Sequence, residues 1–217
     1  MPPRGGRLYR ALRAGGIAAV LGLGVLLLTG CASTSSGGRT APTATPVLTP
    51  FADASRWMLW APLRVTVAGS DLIVPAGFVT DFASVPPALR GLVAPIGPHL
   101  VPSIVHDYLY WNQSCTRAQS DRIFLLALEE AGVGAFQREL FYQSVRTPLG
   151  ARAWRDNAQD HREGRARIVP PSLAPPDASE TWLAYRLRLP GRLPAARGEA
   201  LPAAFCALGG PGEAEEG

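Results

Sequence analysis

The hydrophobic pattern changes period twice along the chain. From Leu63 to Thr80, "LRVTVAGSDLIVPAGFVT" alternates apolar and polar residues on either side of Gly69-Ser70-Asp71. Alternation about a Gly-containing turn predicts two strands and a tight hairpin. Pro75 and Gly77 then interrupt the second strand, as at a bulge or an edge. "FASVPPALRGLVAP" leads into a short helix, with Ser84 as cap and Pro86 or Pro87 in its first turn. After that the apolar residues recur at helical spacing. Pro102–Trp111 forms the first predicted helix. "TRAQSDRIFLLALEEAG" forms the second, opened by a Thr116/Gln119 capping box and stopped at Gly132. The third runs from Gly134 to Thr147, with Phe136, Leu140, Phe141, Ser144 and Val145 on one face and Gln137, Arg138, Gln143 and Arg146 on the other. Pro148 and Gly150 then interrupt the pattern, and past Arg152 it dissolves. Only "TWLAYRLRLP" stands out there, its alternating Trp182, Leu183, Tyr185, Leu187 and Leu189 reading as a strand. The class is α+β: a small hairpin or sheet unit on about three helices, spanning residues 51–154, with residues 155–217 as a mostly irregular Pro-, Arg- and Ala-rich extension.

The N-terminal pattern is of another kind. Arg4, Arg7, Arg10 and Arg13 precede an uncharged apolar run from Ile17 to Leu28. A membrane span needs about 20 apolar residues. A basic segment followed by a shorter apolar stretch is the form of a secretory signal. It ends in Leu28-Thr29-Gly30-Cys31, which resembles the lipobox of bacterial lipoproteins. That resemblance implies removal of residues 1–30 and lipidation of Cys31. Several acyl chains anchor a protein stably where one does not. The expected partner is therefore an envelope membrane, either cell membrane or outer membrane. Ala32 resembles the residue that follows Cys in outer-membrane lipoproteins. "ASTSSGGRTAPTATPVLTP" has no hydrophobic period and reads, over residues 31–50, as a flexible tether.

Charge changes meaning once the leader is set apart. All 21 basic residues are Arg; four precede Cys31, leaving 17 against 17 acids in the remainder. A neutral mature chain lacks the cationic surplus that nucleic acid demands, so nucleic acid is not an expected partner. Cys115 and Cys206 remain after Cys31 is lipidated. In an oxidising space they could pair, but sequence alone does not bring their Cα atoms within reach.

The chemistry concentrates in "SIVHDYLYWN". His106 and Tyr110 lie one helical turn apart and share a face. On the second helix Asp121 shares its stripe with Phe124, Leu125 and Leu128, and an acid on a core stripe is costly unless paired. Antiparallel packing of the two helices would bring Asp121 to His106 and Tyr110. The carboxylate would then fix one imidazole tautomer, the arrangement of a general base with its orienting acid. Asp107 lies about 100° around the helix and faces elsewhere. There it could hold a hard cation such as calcium, with Asp81 as a second ligand. Asp81 and Ser84 otherwise read as partners of loop amides. A zinc site from His99, His106 and Asp121 has only a weak signal. His161, in a polar Arg-rich stretch, is expected to face solvent.

Two resemblances follow from these residues. Val74-Pro75-Ala76-Gly77-Phe78, Thr80-Asp81-Phe82-Ala83-Ser84-Val85-Pro86, His106-Asp107, Tyr110 and Asp121 resemble the bacterial and phage domain of unknown function 1353 family, over roughly Leu63 to Trp154. Pro87 departs from the charged or bulky residue usual there. That family implies a fold and no activity. His106-Asp107-Tyr108-Leu109-Tyr110 followed by Ala118-Gln119-Ser120-Asp121-Arg122-Ile123-Phe124 is similar to the active-site helices of phospholipases A2. That similarity implies His106 as the base that activates water, Asp121 and Tyr110 as its support, and Asp107 as calcium ligand. The spacing from His106 to Asp121 is shorter than in those enzymes, and the Gly-rich calcium loop is missing. Two functions from different classes follow. One is a calcium-assisted hydrolase acting on a lipid or another envelope ester. The other is a non-catalytic envelope or phage-derived binding or structural module whose His–Tyr–Asp network locks two helices together. A hydrolase needs the second nitrogen of His106 in an open cleft; a locking network buries both.

Overall fold

The computed structural model describes residues 45–82, 96–173, 175–189 and 196–211. Cys31, Ser84 and the short helix expected after Phe82 lie outside the described residues. Among the described residues five strands come first: β1 (Leu48–Pro50), β2 (Trp57–Leu59), β3 (Leu63–Val67), β4 (Ser70–Val74) and β5 (Val79–Thr80). Six α-helices follow among the described residues: α1 (Leu100–Asn112), α2 (Arg117–Glu130), α3 (Ala135–Val145), α4 (Pro148–Arg162), α5 (Trp182–Arg188) and α6 (Ala203–Cys206). The α+β class is the one expected.

β3 and β4 form the hairpin, in the register Leu63↔Val74 through Val67↔Ser70. Its two-residue turn is Ala68-Gly69, both at positive φ, one position earlier than the pattern suggests. That is the turn whose twist matches the strands it joins. Alternation puts Leu63, Val65, Val67, Leu72 and Val74 on the buried face. β1, β2 and β5 make a separate antiparallel sheet in the order β1-β2-β5. It begins at Leu48, inside the stretch expected to be tether, because Leu48 pairs with Leu59. Gly77 marks the exit from the hairpin at φ +79°, and a Cβ there would lie 1.9 Å from the Val169 carbonyl oxygen. Glycine lets this backbone approach the 167–169 segment, which hydrogen-bonds it on both sides.

α1 is the centre of the domain. Every residue from Val101 to Asn112 is buried. A helix wrapped on all sides can bury both faces of a His-Asp pair. The hairpin covers one side through Val67, Leu72 and Val74, and Phe205 and Cys206 of α6 join the same cluster. Each fully buried Leu, Ile or Phe contributes about 1.5–3 kcal/mol. α2 opens with the expected capping box, its Thr116 hydroxyl accepting from the Gln119 amide and the Gln119 side chain accepting from the Thr116 amide.

Several local expectations give way to tertiary packing. Pro148 and Gly150 do not end the helical pattern: α4 begins at Pro148, since proline is tolerated in a helix's first turn, and runs on through Gly150. Trp182–Arg188 is a helix and not a strand: Thr181 caps it, Tyr185 is buried against Phe51, and Leu183 and Leu187 stay exposed. On α3, Phe136 is also exposed while Phe141 is buried with Phe124 and Leu128. His161 does not simply face solvent. Its Nε2 lies 2.7 Å from the Trp111 carbonyl oxygen and its ring packs on the Trp111 indole. Cys115 and Cys206 are joined in a disulfide, with Cα atoms 5.1 Å apart. The C-terminal stretch folds back far enough to make this bond: Trp111 and Asn112 hydrogen-bond the carbonyls of Ala196, Arg197 and Glu199.

Candidate functional site

α1 and α2 pack together and their facing turns carry the first cluster. His106 Nε2 lies 2.9 Å from Asp121 Oδ1. The Tyr110 hydroxyl donates to the same oxygen at 2.6 Å. Arg117, one turn before Asp121 on α2, donates to Oδ2 at 3.4 Å. One carboxylate therefore gathers an imidazole, a phenol and a guanidinium. The stripe that carries Asp121 into the core makes this possible, with Phe124 and Leu128 beneath it. Burial, then the Asp121 carboxylate, pushes the Tyr110 phenol well above its ordinary range, so it stays protonated and donates. The imidazole is packed between Tyr110 and Phe124, ring centres 4.1 and 4.6 Å away, and is only 4% exposed.

Asp107 turns the other way and makes a second cluster. Its Oδ2 accepts from the Thr80 hydroxyl at 2.5 Å and from the Asp81 amide at 3.1 Å. Thr80 ends β5, and its hydroxyl also accepts from the Phe82 amide at 3.1 Å. Phe82 adopts φ 57°, the left-handed bend that curls this loop around the carboxylate. Asp81 pairs with Arg56 at 3.1 Å. Burial, reinforced by the neighbouring Asp81 charge, raises the Asp107 carboxyl to about 6; Arg167, the Thr80 hydrogen bond and His106 act the other way. Arg167 is held in place by the Val79 carbonyl at 2.7 Å and Asn157 at 3.0 Å.

The structure thus brings His106, Tyr110 and Asp121 together, and separately brings Asp107 to Asp81. The second pair does not fit a calcium ion well. The Asp107 oxygen that faces the loop already takes two hydrogen bonds, and Arg167 supplies positive charge to the same carboxylate. Among the described residues no group of three His, Cys, Asp or Glu side chains could hold a metal. His99 stacks on Phe141 with ring centres 4.9 Å apart, and burial lowers its pKa.

The sequence reading missed three participants. Arg117 stands four residues before Asp121, a spacing that could have flagged the pair. Thr80 and Arg167 carry no such signal, since chain reversals bring them to Asp107. Beside the first cluster lies a cleft of about 430 Å³, lined by Arg117, Ala118, Asp121, Arg122, Tyr142, Arg146, Gly209 and Pro211. It opens onto the Asp121 side of the network, and His106 is not among its walls.

Residues 57–145 match the family described as Protein of unknown function (DUF1353), a span that is less than half of the chain and holds His106, Tyr110, Arg117 and Asp121 of the first cluster and Thr80, Asp81 and Asp107 of the second, but not Arg167. No curated protein and no solved structure matches the chain.

Proposed function

We propose that this is an exported bacterial envelope protein, lipid-anchored through Cys31, whose α+β domain is a binding module and not a hydrolase. The observation that carries the second half is the burial of His106. Aromatic rings lie along the imidazole, Asp121 takes Nε2, and the residue is 4% exposed. A general base must reach the proton it removes, and this one is packed as a lock between helices. Asp107, which a phospholipase-like mechanism needs for its cation, is instead a clamp on the Thr80–Phe82 loop. Export is supported by the basic and apolar leader ending at Cys31. The Cys115–Cys206 disulfide suits the same oxidising destination.

The hydrolase reading retains one favourable observation. Asp121 orients the imidazole through Nε2, and no described residue hydrogen-bonds Nδ1. In that reading the buried carboxylate stabilises the imidazolium that forms as water loses its proton to His106. Assays of the full chain on a phospholipid and short-ester panel, with and without calcium, separate the two. The binding-module reading expects no turnover that depends on His106. Ester hydrolysis that is lost in a folded His106→Gln variant and kept in the surface control Arg152→Gln sinks it. Palmitate labelling that disappears in Cys31→Ser is the expected result for the anchor.

A further inference from the structure

The Arg-lined cleft beside Asp121 has a use that the helix lock alone does not require. Its walls come from the first turns of α2, the C-terminal end of α3 and the 209–211 segment. Three guanidinium groups line it, with Tyr142 as the aromatic wall. Arg117 is steered by Asp121 Oδ2 at 3.4 Å, so the His106–Tyr110–Asp121 network also sets the position of this arginine. Arg146 lies over the Tyr142 ring, 5.3 Å from its centre. Arg122 and Arg146 make no ion pair with a carboxylate among the described residues, whereas most other described arginines do. Among the described residues that line the cleft, Asp121 is the one acid, and Arg122 and Arg146 add cationic charge beyond the Arg117 that it pairs with.

We infer that this cleft binds a phosphoryl anion, either the head group of a phospholipid or a soluble phosphate. Guanidinium forks match tetrahedral oxyanions, and several of them around one hollow give geometric selectivity as well as charge. The volume is on the scale of a small-ligand site, roughly 300–1,000 Å³. Ala118 stands in the first turn of α2, whose positive end adds to the field. Asp121 does not spoil the site, because Tyr110, His106 and Arg117 already engage both of its oxygens. The inference rests on the binding-module reading and names its ligand class, but it is tested by binding and not by turnover.

The test is calorimetric titration of the full chain in detergent with inorganic phosphate, and separately with dihexanoyl phosphatidic acid. Saturable binding that weakens as salt rises is expected, and Arg122→Gln/Arg146→Gln should lower the affinity by about tenfold or more. Arg122→Lys/Arg146→Lys should restore part of it, since the charge returns without the fork. Both arginines are exposed, so thermal unfolding of these variants should match wild type. Binding of both probes assigns a general phosphoryl site; binding of the lipid alone assigns a head-group site. Glu213, Glu215 and Glu216 follow Pro211 in the sequence and could compete. The titration is therefore repeated on the triple Gln variant of those residues. No saturable binding in either background, or equal binding by the Arg122→Gln/Arg146→Gln variant, overturns the inference. Failure here with no ester turnover leaves the non-catalytic reading intact; His106-dependent turnover with phosphate binding intact removes that reading and leaves the cleft.

Discussion

Asp107 and Asp121 are both buried acids, one on α1 and one facing it from α2, and they live under opposite conditions. Asp121 is surrounded by donors: His106 and Tyr110 on one oxygen and Arg117 on the other. Asp107 has a hydroxyl and one amide on a single oxygen, and a second carboxylate beside it. The two lie on different sides of α1 because His106 and Asp107 are successive helix residues, about 100° apart. Burial by itself therefore says little about an acid's role. The number and sign of its neighbours decide whether its charge holds the fold together or strains it.

The largest test of this contrast is Asp121→Ala. It leaves an imidazole and a phenol buried without their acceptor and takes one carboxylate partner from Arg117. Removing one partner of a buried ionic cluster costs about 3–5 kcal/mol, so chemical denaturation should show a loss of about 4 kcal/mol. A loss under about 1 kcal/mol, no more than an exposed ion pair gives, would mean the network does not lock α1 to α2.

Asp107 should give a smaller effect of the other sign. Its carboxyl titrates near 6 in the fold against 3.8 for an ordinary aspartate. Below the lower value both folded and unfolded chains hold the proton. As pH rises between the two, the unfolded chain ionises first, so this group makes stability fall. Above pH 6 the deficit is complete, on the order of 3 kcal/mol. Asp107→Asn keeps an acceptor for Thr80 and the Asp81 amide and removes the titration. The stability of the variant relative to wild type should therefore climb by that amount between pH 4 and 6 and then level off. A flat difference across this window would show that Arg167 neutralises the carboxylate fully.

Tyr110→Phe gives the smallest effect. It deletes one donor to the Asp121 charge while His106 and Arg117 remain. A hydrogen bond to a charged group contributes about 1.5–3 kcal/mol, and with two donors left a loss of about 1.5 kcal/mol is expected. The pH profile over pH 4–6 should not change, since the titrating acid is Asp107. A profile that moved with Tyr110 would merge the two clusters into one.

The first cluster is largely legible in the sequence. The apolar stripe through Phe124 and Leu128 requires Asp121 to point inward, and His106 and Tyr110 are the nearest donors at helical spacing. Helical periodicity is local, so consecutive residues reveal it. The Asp107 cluster is half legible: Asp81 is a plausible companion, but the clamp needs β5 folded across α1 and the 167–169 segment against Gly77. The C-terminal third is the least legible. The alternation in Trp182–Leu189 suits a strand, yet burial of Tyr185 against Phe51 and the cap from Thr181 select a helix. Pro148 reads as a terminator and is a helix start.

The residue order alone determined the hairpin, the α2 capping box, the inward-facing Asp121 and the basic and apolar pattern that ends at Cys31, because each depends on residues a few positions apart. Only the tertiary structure decided that Cys206 reaches Cys115 across 91 residues, that Thr80 and Arg167 converge on Asp107, and that Arg117 and Arg122 of α2 share one cleft with Arg146, the residue that follows α3. Those contacts join distant segments, and which distant segments meet is set by how the whole core packs around α1.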